Sequence, residues 1–251
     1  MSSRRPILAA NWKMNLVRAD AEAFCRDLAT RGVSPDVDVV LFPSAVLVDT
    51  VVRGLEGLPV ACGGQDVHVE ASGAHTGDVS AAQLRDAGCS WTLVGHSERR
   101  RDHAETDEQV ARKARIANDH GLAAMICVGE TREERQAGQT LPVLERQLLT
   151  ALGPGLDRFE IAYEPVWAIG TGETATPEMA QDAHAFLRRL LARELGDETA
   201  SAVRLLYGGS AKPENVEALH AQEDVDGFLV GGASLDSTKF SAMIRACAHA
   251  S

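Results

Sequence analysis

Short apolar runs recur along the chain, and each is followed by a glycine-rich or polar turn and then by a helical pattern. The runs are four to six residues long, which is the length of a strand and not of a helix. They contain few polar positions, as is typical of strands buried on both faces of a parallel sheet. The predicted strands are eight in number and cover residues 7–10, 37–42, 59–62, 91–94, 123–128, 159–163, 203–207 and 227–230.

Amphipathic patterns between the runs predict helices over residues 19–29, 105–120, 177–195 and 237–248. The third of these helices has a clear start, with Thr176 as the capping residue, Pro177 in the first helical position and Glu178 just inside. The other three present apolar faces formed by Ala23, Phe24 and Leu28, by Val110, Ala114 and Ala117, and by Phe240, Ile244 and Ala248.

Strands that alternate with helices imply parallel pairing through right-handed crossovers. Eight such units in 251 residues fit a closed (β/α)8 barrel better than an open, doubly wound sheet. Since no proline- or serine-rich linker interrupts the series, the sequence predicts an α/β fold with one domain, residues 1–251, in which eight parallel strands are ringed by helices.

The amino-acid composition limits the kinds of molecule that this chain is expected to bind. A formal net charge of −11 argues against nucleic acid or an anionic membrane as a general partner, although a local site can still bind a small anion. The five cysteines form no CxxC pair, which argues against a disulfide framework and a zinc site. Residues 1–6 lack an apolar leader and no apolar run approaches membrane-spanning length, so we expect a cytoplasmic protein.

The chemistry in such a barrel is expected at the carboxyl ends of the strands, where active sites of this fold lie. The candidates together offer a carboxylate base, an imidazole, a cation, an amide and backbone donors for an anion. Taken singly, each has a simpler interpretation as a solvated charge, a structural histidine or a tight turn. They are Asn11 and Lys13, His96 and Glu98, Glu164, Gly208, Gly209 and Ser210, and Gly231 and Gly232.

One segment, residues 162–172, combines a carboxylate with the makings of a lid. Glu164 ends an apolar strand, Pro165 fixes the backbone immediately after it, and glycines at 170 and 172 permit close approach to a ligand. A second unusual stretch, residues 65–79, is longer than a connection requires and has an uncharged tip. Long loops in compact domains are usually functional or bind a partner, and the alternative is a surface excursion.

The sequence resembles the triosephosphate isomerase family from the first strand to the last. The resemblance implies interconversion of dihydroxyacetone phosphate and D-glyceraldehyde 3-phosphate, in glycolysis and gluconeogenesis, without a cofactor or a metal. The motifs that carry it are residues 11–15 (NWKMN), 95–100 (GHSERR), 127–130 (CVGE), 163–172 (YEPVWAIGTG), 207–210 (YGGS) and 231–235 (GGASL).

By this resemblance, Glu164 is the base that moves a proton between two carbons through an enediolate. His96 is the electrophile that polarises the carbonyl group. Lys13 supplies a fixed positive charge, Asn11 an amide donor, and Glu98 pairs with Lys13 and orients it. Residues 97–99 resemble a helix start, and a helix N-terminus lowers the pKa of an adjacent histidine.

The resemblance also assigns the phosphate site and the lid. The phosphate is expected on the backbone amides of Gly170, Ser210, Gly231 and Gly232. Tyr207 and Ser210 are expected to hold the closed lid, and Glu130 the open one. The lid itself comprises Pro165, Val166, Trp167, Ala168, Ile169, Gly170, Thr171 and Gly172.

A homodimer is implied as well, because in the family the loop after the third strand docks beside the catalytic lysine of the neighbouring subunit. His75 departs from the pattern, since an aromatic ring is common there, and this leaves the strength and pH dependence of the interface open. The residues that match the docking loop are Gln65, Gly73, His75, Thr76 and Gly77.

Three other functions remain open from the sequence. A related isomerase acting on a tetrulose phosphate would use the same catalytic residues. A Schiff-base aldolase would use Lys13 as its nucleophile. A barrel that only binds ligands would not need Asn11, Lys13, His96 and Glu164 together.

Overall fold

The computed structural model describes residues 4–169 and 174–249. Its strands form a closed barrel in which every neighbouring pair is parallel and the order around the barrel follows the sequence. This confirms the predicted (β/α)8 architecture. The strands are β1 (Ile7–Asn11), β2 (Asp38–Phe42), β3 (Val60–Gly64), β4 (Trp91–Val94), β5 (Ala123–Val128), β6 (Phe159–Tyr163), β7 (Leu205–Tyr207) and β8 (Gly227–Val230).

Helices surround the barrel, and short 3-10 turns follow β2, β6 and β8 at residues Ala45–Leu47, Val166–Ala168 and Gly232–Leu235. No helix in the described ranges is long and apolar enough to cross a membrane. The α-helices are α1 (Arg18–Arg31), α2 (Val48–Gly54), α3 (Ala81–Asp86), α4 (Ser97–His103), α5 (Asp107–Asp119), α6 (Arg132–Gln136), α7 (Thr140–Ala151), α8 (Pro177–Leu195), α9 (Asp197–Ala202), α10 (Val216–His220) and α11 (Ser237–His249).

The strands are buried on both faces, which explains why they appear in the sequence as continuous apolar runs. Along β1, Ile7 and Ala9 point into the barrel, whereas Leu8 and Ala10 pack beneath the helices. The barrel interior is filled by side chains from alternating strand positions, namely Ile7, Ala9, Val40, Phe42, Leu93, Met125, Cys127, Ala162, Leu206 and Leu229. The barrel is therefore a packed core, and chemistry is confined to its ends.

The helix predictions hold in their main features. The Thr176 side chain accepts a hydrogen bond from the Met179 amide, so α8 begins as predicted. In α5, the face formed by Val110, Ala114 and Ala117 is buried. The prediction for Ala23 in α1 is wrong, because that residue is exposed. The buried face of α1 instead comprises Ala21, Phe24, Cys25 and Leu28.

Strand β3 extends to Gly63 and Gly64, beyond the predicted end at residue 62. A Cβ atom added at Gly63 would overlap the Phe42 ring and lie 2.9 Å from Cβ of Trp91. Glycine at this position allows close packing inside the barrel. In the sequence, the two glycines had been interpreted as part of the turn after the third strand. The predicted start of the seventh strand at residue 203 is also wrong, since β7 begins at Leu205.

Candidate active site

The carboxyl ends of the strands surround a cavity of about 770 Å³. Asn11 and Lys13 reach it from the end of β1, His96 from the end of β4 and Glu164 from the end of β6. These four residues are spread over more than 150 positions of the chain, and barrel closure brings them together. The same cavity is also lined by Gly208, Gly209, Ser210, Gly231 and Gly232.

Glu164 follows the last residue of β6 directly and is only 2% exposed. One carboxylate oxygen, Oε1, lies 2.9 Å from His96 Nε2, and the other accepts a hydrogen bond of 2.8 Å from the Ser97 amide. Burial raises the pKa of Glu164, whereas the charge and hydrogen bond of His96 and the Ser97 amide lower it, and the net direction is downward. The carboxylate is therefore ionised in this position, where His96 and the Ser97 amide hold both of its oxygens.

His96 caps the N-terminus of α4 with its own ring. Its Nδ1 atom accepts a hydrogen bond of 3.2 Å from the Glu98 amide, so the ring proton lies on Nε2, facing Glu164. Burial lowers the pKa of His96, but the charge and hydrogen bond of Glu164 together raise it, and the net direction is upward. The prediction of a lowered pKa is thus wrong for this arrangement, because the carboxylate faces the ring.

Lys13 lines the cavity, as do Lys212 and Lys239, and its backbone conformation is unusual. Its Nζ atom lies 2.7 Å from Glu98 Oε1, which confirms the predicted pairing of these two side chains. Its φ angle is 51°, in the left-handed region that a residue with a Cβ atom rarely occupies. The Asn11 side chain accepts a hydrogen bond of 3.0 Å from the Lys13 amide and so reaches the same peptide segment.

The predicted anion-binding segments follow the neighbouring strands β7 and β8 and line the same cavity as Glu164. Gly231 precedes the 3-10 turn at Gly232–Leu235, and a Cβ atom added at Gly231 would lie 3.4 Å from Cε of Lys13. Ser210 is held through its carbonyl group, which accepts a hydrogen bond of 3.0 Å from the Asn215 side chain. The backbone at Gly231 is therefore close to the Lys13 side chain.

The first part of the predicted lid, from Pro165 to Ile169, packs against the barrel. Trp167 Nε1 donates to Glu130 Oε1 at 2.9 Å, and the Tyr163 hydroxyl donates to the same buried carboxylate. The Arg135 guanidinium lies 4.1 Å from the centre of the Trp167 ring. Of the lid residues predicted from the sequence, Gly170, Thr171 and Gly172 lie outside the described residues.

Tyr207 is the last residue of β7 and is fully buried. Burial raises the pKa of its phenol to about 12, although the backbone of Ala175 acts in the opposite direction. The phenol therefore keeps its proton at any working pH and can serve as a hydrogen-bond donor next to the lid.

Comparison with known proteins agrees with the geometry. The family model of triosephosphate isomerase matches residues 6–247. The triosephosphate isomerase of Ruegeria pomeroyi is 49% identical over 249 residues, covering 98% of this chain and 99% of the relative. That of Symbiobacterium thermophilum is 48% identical over 254 residues, covering 98% of each chain. The chain belongs to the triosephosphate isomerase family.

Two residues that hold strand ends of this barrel in place, Gln147 and Arg100, received no role from the sequence, although Arg100 lies in the motif of residues 95–100. The Gln147 side chain, from α7, accepts from the Gly129 amide at 2.7 Å and donates to its carbonyl at 3.3 Å. Gly129 in turn touches the backbone of Glu164 so closely that a Cβ atom there would overlap its carbonyl oxygen. Arg100 donates to the carbonyl of Gly95, directly after β4, and to that of Cys127 within β5.

The loop after β3 divides into two parts. Gln65, which the resemblance placed in the docking loop, binds its own chain and donates to the carbonyls of Lys13 and Phe42. Gly73, His75, Thr76 and Gly77 are exposed at the tip.

A possible metal-binding group lies in this loop and not in the cavity. Among the described residues, His68, His75 and Asp78 form the group whose ligand atoms all lie within 4.8 Å of one another. The ring of His68 stacks on that of His75, and its Nδ1 atom already accepts a hydrogen bond of 3.0 Å from the Glu70 amide. The His68 ring is thus already held by contacts within the loop.

Proposed function

We propose that this chain interconverts dihydroxyacetone phosphate and D-glyceraldehyde 3-phosphate by proton transfer through an enediolate. The observation that carries the proposal is the contact of 2.9 Å between the buried carboxylate of Glu164 and the imidazole Nε2 of His96, at the edge of a cavity that also contains Lys13. A base, a hydrogen-bond donor and a cation around one small cavity suit proton abstraction next to a carbonyl group. The names of the relatives agree with this reaction.

Glu164 acts as the base in this proposal. Both carboxylate oxygens are bonded to the start of α4, so the side chain must rotate towards the substrate before it can accept the carbon-bound proton. Pro165 follows it directly and links it to the 3-10 turn of the lid. We therefore infer that movement of the lid and rotation of the carboxylate are coupled.

His96 acts as the electrophile through its Nε2–H group. Once Glu164 has rotated away, the carboxylate that raises the pKa of His96 is gone, and burial favours the neutral ring. A neutral ring with its proton on Nε2 donates a hydrogen bond to the carbonyl oxygen and can pass that proton between the two substrate oxygens. The Glu98 amide keeps the ring in this tautomer.

Lys13 and Asn11 stabilise the negative charge that develops on the substrate oxygens. The phosphate group is held by backbone amides at Ser210, Gly231 and Gly232, together with Gly170 of the lid, and Lys13 balances its charge. Closure of residues 166–172, with Tyr207 and Ser210 as its partners, excludes water and suppresses loss of phosphate from the enediolate. This chemistry requires neither a cofactor nor a metal.

We also propose that the chain works as a homodimer in the cytoplasm. The exposed tip formed by Gly73, His75, Thr76 and Gly77 supports the dimer, because it is available to dock into a second copy. Buried thiols that form no disulfide support a reducing compartment. They are Cys25, Cys62, Cys89 and Cys127. Sedimentation equilibrium at micromolar concentration measures the association directly, and a monomer there would contradict it.

A coupled assay with D-glyceraldehyde 3-phosphate, run beside four-carbon ketose and aldose phosphates, tests the reaction. We expect turnover of the three-carbon substrate to exceed that of the four-carbon pair by at least about tenfold, since one misplaced carbon disturbs the fit of base and phosphate. Greater activity on the four-carbon pair would replace the proposed substrate. Covalent trapping of dihydroxyacetone phosphate on Lys13 by borohydride would replace the isomerase with an aldolase.

A further inference from the structure

Gln65 occupies the junction between the barrel and the backbone of Lys13. It is the first residue after β3, and its side chain points back towards the end of β1. The amide nitrogen Nε2 donates one hydrogen bond of 2.8 Å to the Lys13 carbonyl and another of 2.9 Å to the Phe42 carbonyl, which ends β2. Both of its N–H groups are therefore used, and both bind backbone oxygens.

The backbone of Lys13 needs such support. A left-handed φ of 51° is unfavourable for a residue with a Cβ atom and persists only where the surroundings impose it. On the amino side, the Lys13 amide is fixed by the Asn11 side chain at 3.0 Å. On the carboxyl side, Gln65 is the donor that reaches the Lys13 carbonyl within residues 4–169 and 174–249.

Among the neighbouring residues, the Asn15 side chain donates a hydrogen bond of 2.7 Å to the Trp12 carbonyl, on the amino side of Lys13, and this leaves the Lys13 carbonyl to Gln65. Met14, the next residue, is 95% exposed, and α1 begins only at Arg18. The carbonyl of Phe42 is shared, since it also accepts a hydrogen bond of 3.1 Å from the Trp12 amide. Gln65 thus ties the strained peptide of Lys13 to β2, a rigid part of the barrel.

We propose that Gln65 is a positioning residue for the reaction, which holds Lys13 in its left-handed conformation and thereby aims Nζ at the anionic oxygens of the substrate. This inference rests on the proposed function. Gln65 does not touch the substrate and acts through Lys13. Without its amide, Lys13 relaxes to a negative φ, the peptide rotates, and Nζ leaves its place beside Glu98.

Two substitutions separate hydrogen bonding from shape. Gln65→Met keeps the length of the side chain but removes both donors. Gln65→Glu also keeps the length, but an ionised carboxylate facing two carbonyl oxygens repels them, and only its protonated form can donate one hydrogen bond. Gln139→Met is the matched control, because Gln139 is an exposed glutamine with one long backbone contact of 3.5 Å.

The expected results follow from displacement of the Lys13 Nζ atom. A displacement of Nζ by about 1 Å costs on the order of 100-fold in kcat/KM, so we expect Gln65→Met to lose about 10- to 100-fold while the control loses none. For Gln65→Glu, activity relative to the wild type rises as the pH falls towards 5, whereas the ratio for Gln65→Met stays flat. Activity of Gln65→Met within threefold of the wild type, or a flat ratio for Gln65→Glu, overturns the proposal.

Two further measurements separate this role from other effects. Sedimentation of each variant at the assay concentration tests association, and a loss of activity that is recovered at higher protein concentration assigns Gln65 to the interface and overturns the positioning role. A crystal structure of Gln65→Met reports φ of Lys13, and a value that stays near 51° also overturns it. That structure remains decisive if the wild-type chain has no isomerase activity, in which case only the proposed function fails.

Discussion

Shortening Glu164 by one methylene group tests the assignment of the base. In the variant Glu164→Asp, the carboxylate retreats by about 1.5 Å, the length of one carbon–carbon bond. The wild-type carboxylate spans two partners on α4, with contacts of 2.9 Å to His96 Nε2 and 2.8 Å to the Ser97 amide. The shorter side chain cannot keep these contacts or reach the reacting carbon at the same distance.

The size of the effect can be estimated from this displacement. A misplacement of about 1 Å costs roughly 100-fold, so a retreat of about 1.5 Å lowers kcat by roughly 10²- to 10³-fold. This corresponds to about 3–4 kcal/mol of transition-state stabilisation. We expect KM to change by less than about threefold, because the phosphate contacts and Lys13 remain in place.

The assay measures kcat and KM for both triose phosphates with coupled enzymes. Glu178→Asp is the control, because it deletes the same methylene group from an exposed glutamate in the first turn of α8. That control should retain full activity. A Glu164→Asp variant with kcat within threefold of the wild type would refute the role of Glu164 as base. An increase in KM that accounts for the whole loss would instead assign Glu164 to binding.

The remaining predictions concern stability and the support of the site. Burial lowers the pKa of His184 from 6.5 to about 4, so the unfolded chain takes up a proton at a higher pH than the folded chain does. The free energy of unfolding of the wild type should therefore fall by about 3 kcal/mol between pH 6.5 and 4. In urea unfolding experiments, His184→Asn should lack this part of the pH dependence. Lys113 is buried against the Glu105 carboxylate. Lys113→Met should therefore lower the free energy of unfolding by about 3–5 kcal/mol in urea titrations, because it leaves a buried charge unpaired. Adding Glu105→Gln removes that charge and should recover part of the lost stability. Gly129→Ala should lower kcat by at least about 100-fold in steady-state kinetics, because the new Cβ atom displaces the Glu164 backbone.

Several features of the candidate site could be predicted from residues close in the chain. Glu164 follows an apolar strand and precedes a proline, and His96 precedes a helix start, so both could be placed at the mouth of a barrel. The pairing of Lys13 with Glu98 was also predicted, although through the family resemblance. In the same way, Thr176 and Pro177 identify the start of α8, because capping depends on neighbouring residues alone.

Contacts between distant segments could not be predicted from local patterns. Gln65 reaches Lys13 across 52 positions, and Gln147 reaches Gly129 across 18, and neither glutamine has a motif that reveals its partner. The direction of the pKa of His96 depends on where Glu164 points, which is a matter of side-chain rotation.

The sequence by itself determined the eight strands, their order and the residues at their carboxyl ends, because alternation of apolar runs and helices leaves few ways to bury both faces of a parallel sheet. The contacts between side chains from distant segments were decided by the tertiary structure. It joined Glu164 to His96, bound Gln65 to the strained Lys13, and extended β3 through Gly63 into close contact with Phe42. These arrangements depend on ångström-scale packing between segments far apart in the chain, and a linear pattern of residue types does not contain those distances.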